Sequence, residues 1–196
     1  WETLCGNGSR CAALFMYNKG CVGDNVVFNA GDGEHRAKIL KSDHVSMSMK
    51  PPKYKSGNIA LEGINGFFVD SGARHFVCES EILDDTYVFE MGRKVRHAEA
   101  FQPRGINVNF YHQTNDNCIE IKTYEKGVEQ IMRSCASGSA AVVFHLAQTG
   151  ALVSPVTTRS AGGNLVYTFN DGWGSFWSEG PAEFLFKGTF NLVSFR

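Results

Sequence analysis

The chain carries one segment twice, 130 residues apart. Cys5-Gly-Asn-Gly-Ser-Arg-Cys11-Ala-Ala-Leu-Phe15 runs on to Gly20, and Cys135-Ala-Ser-Gly-Ser-Ala-Ala-Val-Val-Phe-His-Leu146 runs on to Gly150. The register then holds without a gap, so that residues 28–33 lie opposite 158–163. Each copy reads as a cysteine, a helix, a left-handed glycine and a hairpin. Such a duplication restricts the fold to two related α+β lobes, and two matched cysteines point to one site shared between them.

The local pattern fills in the lobes. Residues 8–19 read as a helix, with Cys11, Ala12, Leu14, Phe15 and Met16 as its apolar stripe and Gly20 at the C′ position. Strand-like runs at 26–30 and 36–40 flank the turn signal Asp32-Gly33, and 45–49 alternates like a strand. Pro51-Pro52 breaks that strand and sets the expected boundary: residues 1–50 form the first lobe, completed by 188–196, and 51–187 form the second. Further strands are expected at 59–61, 66–70, 76–78, 165–170 and 184–186. Residues 107–111 and 118–124 read as a hairpin, and 138–148 as the second copy of the helix. Residues 86–91 fit either a strand or a short helix, and 93–101 fit a helix. Several strands precede Cys135 but only four residues precede Cys5, so the first lobe is expected to lack an opening piece of roughly 60–70 residues.

Composition excludes some partners. Apolar residues make up 43% and charged residues 20%, ordinary for a globular chain with a real core. Net charge is −1, and Lys38, Lys41, Lys50, Lys53 and Lys55 are scattered among polar residues. Neither nucleic acid nor a membrane surface is an expected partner. No apolar run approaches the ~18–20 residues a membrane helix needs. Six cysteines stand at irregular spacings with no Cys-x-x-Cys pair, which argues for reduced thiols in a cytoplasm and against a metal site. Cys11, Cys21, Cys78 and Cys118 are expected to be small buried hydrophobes.

Cys5 and Cys135 are different, because each opens a helix. The first helical turn offers unpaired N–H groups and a partial positive charge. That field favours a thiolate, and the small residues that follow leave the backbone open to a carboxylate. Two such sites in repeated units suggest a carboxylate held between two helix ends with a sulfur on either side. One sulfur then removes a proton from a carbon and the other returns one to the opposite face. The same pair also fits an interlobe disulfide or inert packing.

At these residues the chain resembles the diaminopimelate epimerase family. Glu2-Thr-Leu-Cys5-Gly-Asn-Gly-Ser-Arg-Cys11 is similar to the family's first cysteine motif, and Asp70-Ser-Gly-Ala-Arg-His75 to its Gly-x-Pro-His segment. Asn107-Val-Asn-Phe110, Tyr124-Glu-Lys-Gly127, Ser134-Cys135-Ala-Ser-Gly138 and Gly180-Pro-Ala182 resemble further family signatures in the same order. The resemblance implies a cofactor-independent amino-acid epimerase of two pseudo-symmetric lobes. Each lobe would be a curled β-sheet around a central helix, with the active site in the cleft between them. It implies that Cys5 and Cys135 are the paired bases, with His75 and Glu125 beside them setting their protonation. Gly6, Asn7, Ala136 and Ser137 would hold the α-carboxylate, and Asn107 and Lys126 the distal head of the substrate. Lys126 stands where the family has Arg, which loses the planar fork for a distal carboxylate, and Ala73-Arg74 replaces Asn-Pro. Three functions follow: epimerisation of LL-2,6-diaminopimelate, racemisation of another amino acid on the same fold, or a silent binding protein. The partner expected is a small amino acid, and a homodimer is compatible with the sequence.

Overall fold

A computed structural model describes residues 4–115 and 117–189. The first repeat is helix α1 (Gly6–Asn18) followed by β1 (Asn25–Ala30), β2 (Gly33–Lys41) and β3 (His44–Ser48). The second is α3 (Ala136–Gln148), β10 (Val156–Ser160), β11 (Gly163–Phe169) and β12 (Phe176–Pro181). The helices match residue for residue at the 130-residue offset. So do the turns: Gly20 and Gly150 adopt φ of 69° and 75°, and Gly33 and Gly163 adopt 119° and 115°. Left-handed backbone at all four positions is the reason glycine recurs there.

Between the repeats lie β4 (Lys53–Leu61), β5 (Ile64–Asp70), β6 (Arg74–Glu79), α2 (Asp85–His97), β7 (Asn107–Asn115), β8 (Cys118–Glu125) and the short β9 (Gln130–Met132). All strands join one mixed sheet in the order β1-β2-β3-β12-β11-β10-β8-β7-β6-β5-β4, with β9 appended to β8. The two repeats meet where β3 pairs antiparallel with β12, Met47 opposite Ser178. Like elements thus pair with each other about a pseudo-two-fold axis, and the sheet curls away on each side.

The second lobe closes around α3. Ala136 and residues 138–146 of that helix are buried, packed against Val69, Val77, Tyr111, Ile119, Ile121 and Tyr167. Alternation along β7 sends Tyr111 to this core and Val108 and Phe110 to the opposite face of the sheet. There α2 covers them with Val88 and Val95. Both faces are covered, so β7 reads as a nearly continuous buried run. By contrast α1 buries only Gly6, Arg10, Ala13 and Leu14, against β2, β3 and β12, and turns Phe15 and Met16 outward.

Several local expectations need correction. Residues 86–101 hold one helix, α2, capped by Asp84 on Tyr87 N at 2.9 Å, then a 3-10 turn at Glu99–Phe101. Residues 184–186 form no strand and stand exposed. The strand that bridges the lobes, β12, has too short and too Gly/Pro-rich a sequence to stand out by pattern. Cys11 and Cys21 are exposed, because α1 is covered on one side only; Cys78 and Cys118 are buried. The expected completion of the first lobe by 188–196 falls mostly on residues 190–196, outside the described residues. No helix among the described residues is long and apolar enough to cross a membrane.

Candidate active site

Both cysteines are helix N-caps with extended backbone. Cys5 has φ −95° and ψ 100°, and Cys135 φ −134° and ψ 103°. The helices start two residues earlier than their apolar stripes suggest, because Gly6-Asn-Gly and Ala136-Ser-Gly supply small first turns. Gly8 N–H donates to Cys5 Sγ at 3.4 Å. The two helix mouths abut. A Cβ on Gly6 would lie 2.8 Å from Ala136 Cβ, and Asn7 Nδ2 donates across the junction to Ser134 O at 3.4 Å. The first turns of two helices therefore face one region with a sulfur at each entrance, and their N–H groups and dipoles there favour an anion.

A buried polar relay supports Cys135. Asn109 Nδ2 donates to His75 Nδ1 at 3.0 Å, which leaves the ring proton on Nε2. His75 Nε2 meets Ser137 Oγ at 3.0 Å, and Ser137 Oγ lies 3.6 Å from Cys135 Sγ. Asn109 is oriented in turn by Thr123 Oγ1, which donates to its Oδ1 at 2.9 Å. His75 is fully buried, and burial pulls its pKa down to about 3, so the ring is neutral and orients Ser137 without adding charge. Burial pushes the Cys135 thiol up, as do nearby Glu125 and Cys5, while Ser137 and the Gly138 N–H pull the other way. Glu125, at the end of β8, is itself shifted up by burial.

The loops bearing the other expected site residues are tied down. Asn107 donates to Arg74 O at 3.1 Å and accepts from Lys126 N–H at 2.8 Å. Its amide thus holds together the two segments that carry His75 and Glu125. Glu129 accepts from Gly127 N–H at 2.9 Å and pairs with Arg96 of α2 at 3.1 Å, pinning the turn that follows Glu125. Arg74 donates to Gly105 O at 3.0 Å and lies over the Phe68 ring at 4.7 Å, which commits its head to the loop rather than to a ligand.

Residues 67–185 match the model of the diaminopimelate epimerase family. The diaminopimelate epimerase of a Hydrogenobaculum species is 34% identical over 98% of this chain and 72% of its own length. That of Flavobacterium psychrophilum is 34% identical over 96% of this chain and 73% of its own length. The chain belongs to the diaminopimelate epimerase family. This is a family of isomerases. Among solved structures, a hydroxyproline epimerase from Agrobacterium vitis superposes with a TM-score of 0.74 at 18% identity, over 92% of this chain and 64% of that one. A probable proline racemase from Agrobacterium radiobacter superposes with a TM-score of 0.75 at 16% identity, over 99% of this chain and 69% of that one. At those identities the likeness concerns the fold.

Within this epimerase fold the structure brings Cys5, Gly6, Asn7, Cys135, Ala136 and Ser137 together, with His75 one hydrogen bond behind. Pattern reading passed over Asn109, Thr123, Ser71 and Tyr167. Ser71 Oγ donates to Ser137 O at 2.7 Å, and Tyr167 Oη donates to Ala136 O at 2.7 Å, fixing the first turn of α3 from both sides. Asn109 and Thr123 are polar residues at buried positions of β7 and β8, and the mixed sequence of both strands gives no local sign of that burial. Among the described residues, no group of three or more His, Cys, Asp or Glu side chains converges as a metal site.

Proposed function

We propose that the chain inverts the α-carbon of an amino acid by two-base catalysis, interconverting LL- and meso-2,6-diaminopimelate. The observation that carries this reading is the junction of the two helix mouths, each capped by a cysteine and separated only by Gly6 and Ala136. The α-carboxylate binds in the paired first turns, where N–H groups and both helix dipoles also stabilise the negative charge that develops as Cα–H breaks. A thiolate on one side takes the Cα proton. The thiol on the other side delivers its proton to the opposite face, so the product is the mirror configuration and the two sulfurs have exchanged protonation states. His75 and Ser137 hold Cys135 in line, and Glu125 is the carboxylate beside it.

The family membership supports diaminopimelate as substrate. Incubation in deuterium oxide with LL- and meso-diaminopimelate, and with a panel of other amino acids, tests the reading by Cα–deuterium incorporation and product chirality. Inversion of diaminopimelate alone supports the proposal. Inversion of another amino acid alone keeps the chemistry and replaces the substrate. No exchange with any amino acid in reduced, folded protein refutes it.

A further inference from the structure

The far end of α3 carries a second group of side chains that the reaction above does not use. His145 lies nine residues after Ala136, roughly 14 Å along the helix axis from the cysteine mouth. At the 130-residue offset it corresponds to Phe15, so the helical unit itself does not require an imidazole there. His145 is 6% exposed. Tyr54 Oη of β4 meets its Nδ1 at 2.8 Å. The Phe67 ring of β5 lies against the imidazole at 4.4 Å between centroids, and the Tyr111 ring of β7 crosses it at 6.2 Å. Burial pulls the His145 pKa down, which keeps the ring neutral at pH 7.

His145, Tyr111 and Glu79 line one cavity of about 290 Å³ together with Phe67, Asn58 and Asn65. Its floor is the sheet: Phe67 pairs with Asn58 and Val77, and Glu79 with Tyr111, so these residues share one face. His145 Nε2, Tyr111 Oη, the Glu79 carboxylate and the two Asn amides have no hydrogen-bond partner among the described residues. The sealed side-chain atoms without a partner belong to Arg10 and Ser178, so the free atoms of His145 and Tyr111 open on the cavity instead. Burial first, and then the Glu79 charge, push the Tyr111 hydroxyl up, so it stays protonated. Glu79, at the exposed rim, is therefore the one formal charge among the lining residues, set beside neutral oxygen acceptors and aromatic faces. An anion would meet the carboxylate, and an uncharged apolar ligand would leave the polar groups without partners. A cation with N–H donors and an apolar stem matches them all. We propose that this cavity is a ligand site separate from the cysteine junction, and that it takes a small primary alkylammonium. The ammonium donates to the Glu79 carboxylate and to oxygens of Tyr111, Asn58 and Asn65, and the alkyl stem lies along Phe67 and His145. A quaternary ammonium has no donors for those oxygens. The inference does not depend on the two-thiol chemistry.

The test titrates the isotope-labelled chain with n-butylammonium chloride at pH 7 and follows backbone amide shifts by NMR. Saturable shifts should centre on residues 65–67, 79, 111 and 145 and leave 5–8 and 135–138 in place. Tetramethylammonium and butyrate, at the same ionic strength, should bind at least about ten-fold more weakly. Glu79 is exposed, so its replacement spares the core. Glu79→Gln exchanges the charge for an amide of the same shape and should raise the dissociation constant about ten-fold. Tyr111→Phe removes one acceptor and should raise it about two- to ten-fold. Equal binding of butylammonium and tetramethylammonium by the parent chain overturns the inference, as does an unchanged constant in folded Glu79→Gln. Shifts confined to the cysteine motifs, or no saturable shift in the folded parent chain, also overturn it. The titration needs no turnover. A chain that binds butylammonium here yet exchanges no Cα proton loses the proposed function and keeps this inference. An active chain without this binding does the opposite.

Discussion

Cys5 and Cys135 are chemically alike, but their surroundings differ. Cys5 is exposed and accepts from Gly8 N–H, whereas Cys135 is partly covered and backed by Ser137, His75 and Asn109. Under the two-base reading, each direction of the reaction needs both sulfurs. Cys5→Ala and Cys135→Ala should each lower epimerisation at least about 10³-fold. Each variant should still wash deuterium into one stereoisomer, and the stereoisomer should differ between the two. Near-normal inversion by either variant would sink the mechanism. Binding of a substrate analogue should fall far less than turnover, because the carboxylate contacts are backbone N–H groups. His75 yields a separate prediction. Its folded pKa of about 3 lies below the ordinary value of about 6.5, so the unfolded chain takes up a proton that the folded chain refuses. The stability this residue contributes is present above about pH 6.5 and is lost as pH falls toward 3, on the order of a few kcal/mol. Urea unfolding between pH 7 and 3.5 should show that loss in the parent chain and a flatter profile in His75→Gln. Equal slopes would mean that the ring is not held neutral by its burial.

At the scale of elements, the candidate active centre is a contact between two helix ends, and its spacing is set by one missing methyl group. Gly6→Ala places a Cβ 2.8 Å from that of Ala136, closer than packed methyl carbons sit, so the two mouths must part by some tenths of an ångström. Turnover should fall about 10- to 100-fold while stability drops by about 1–3 kcal/mol. The added substitution Ala136→Gly should recover most of the turnover, since it removes the opposing methyl. Failure of the double variant to recover, in a folded protein, would show that Gly6 is needed for its own backbone and not for the junction. The helices also differ in their cover. The ten buried residues of α3 against four of α1 explain why one helix can host a fixed relay while the other presents its cysteine to solvent.

The whole molecule is a single sheet in which β3 and β12 join the repeats strand to strand. Val45 and Met47 from one repeat and Ser178 and Gly180 from the other are buried at that seam, and Ala182 packs with the α1 core. A hydrogen-bonded seam gives the repeats little freedom to unfold apart. Denaturant unfolding followed by tryptophan fluorescence and by far-ultraviolet circular dichroism should give coincident curves. The described tryptophans, Trp173 and Trp177, lie in the second repeat, and Trp177 pairs with Ser48 of the first. A separate early transition in circular dichroism, invisible to fluorescence, would mean that the first repeat melts alone.

The repeat, the two helix-opening cysteines, the left-handed glycines and the family membership were all legible in the residues, because each depends on local backbone chemistry or on similarity that survives in sequence. The lobes' α+β character followed from the same periodicities. Three features did not follow. The bridging strand β12 contains Gly180 and Pro181 and owes its conformation to pairing with β3, a contact across more than a hundred residues. The supports of Cys135 come from β6, β7 and β8, so Asn109 and Thr123 gain meaning only once the sheet places them under Gly138, where no side chain would fit. Arg10 lies outside the apolar stripe read for its helix, and the closing of β12 over α1 buries its charge beneath Gly180. Short-range sterics and hydrogen bonding determined the two matched units; long-range burial decided which polar groups would be left without water.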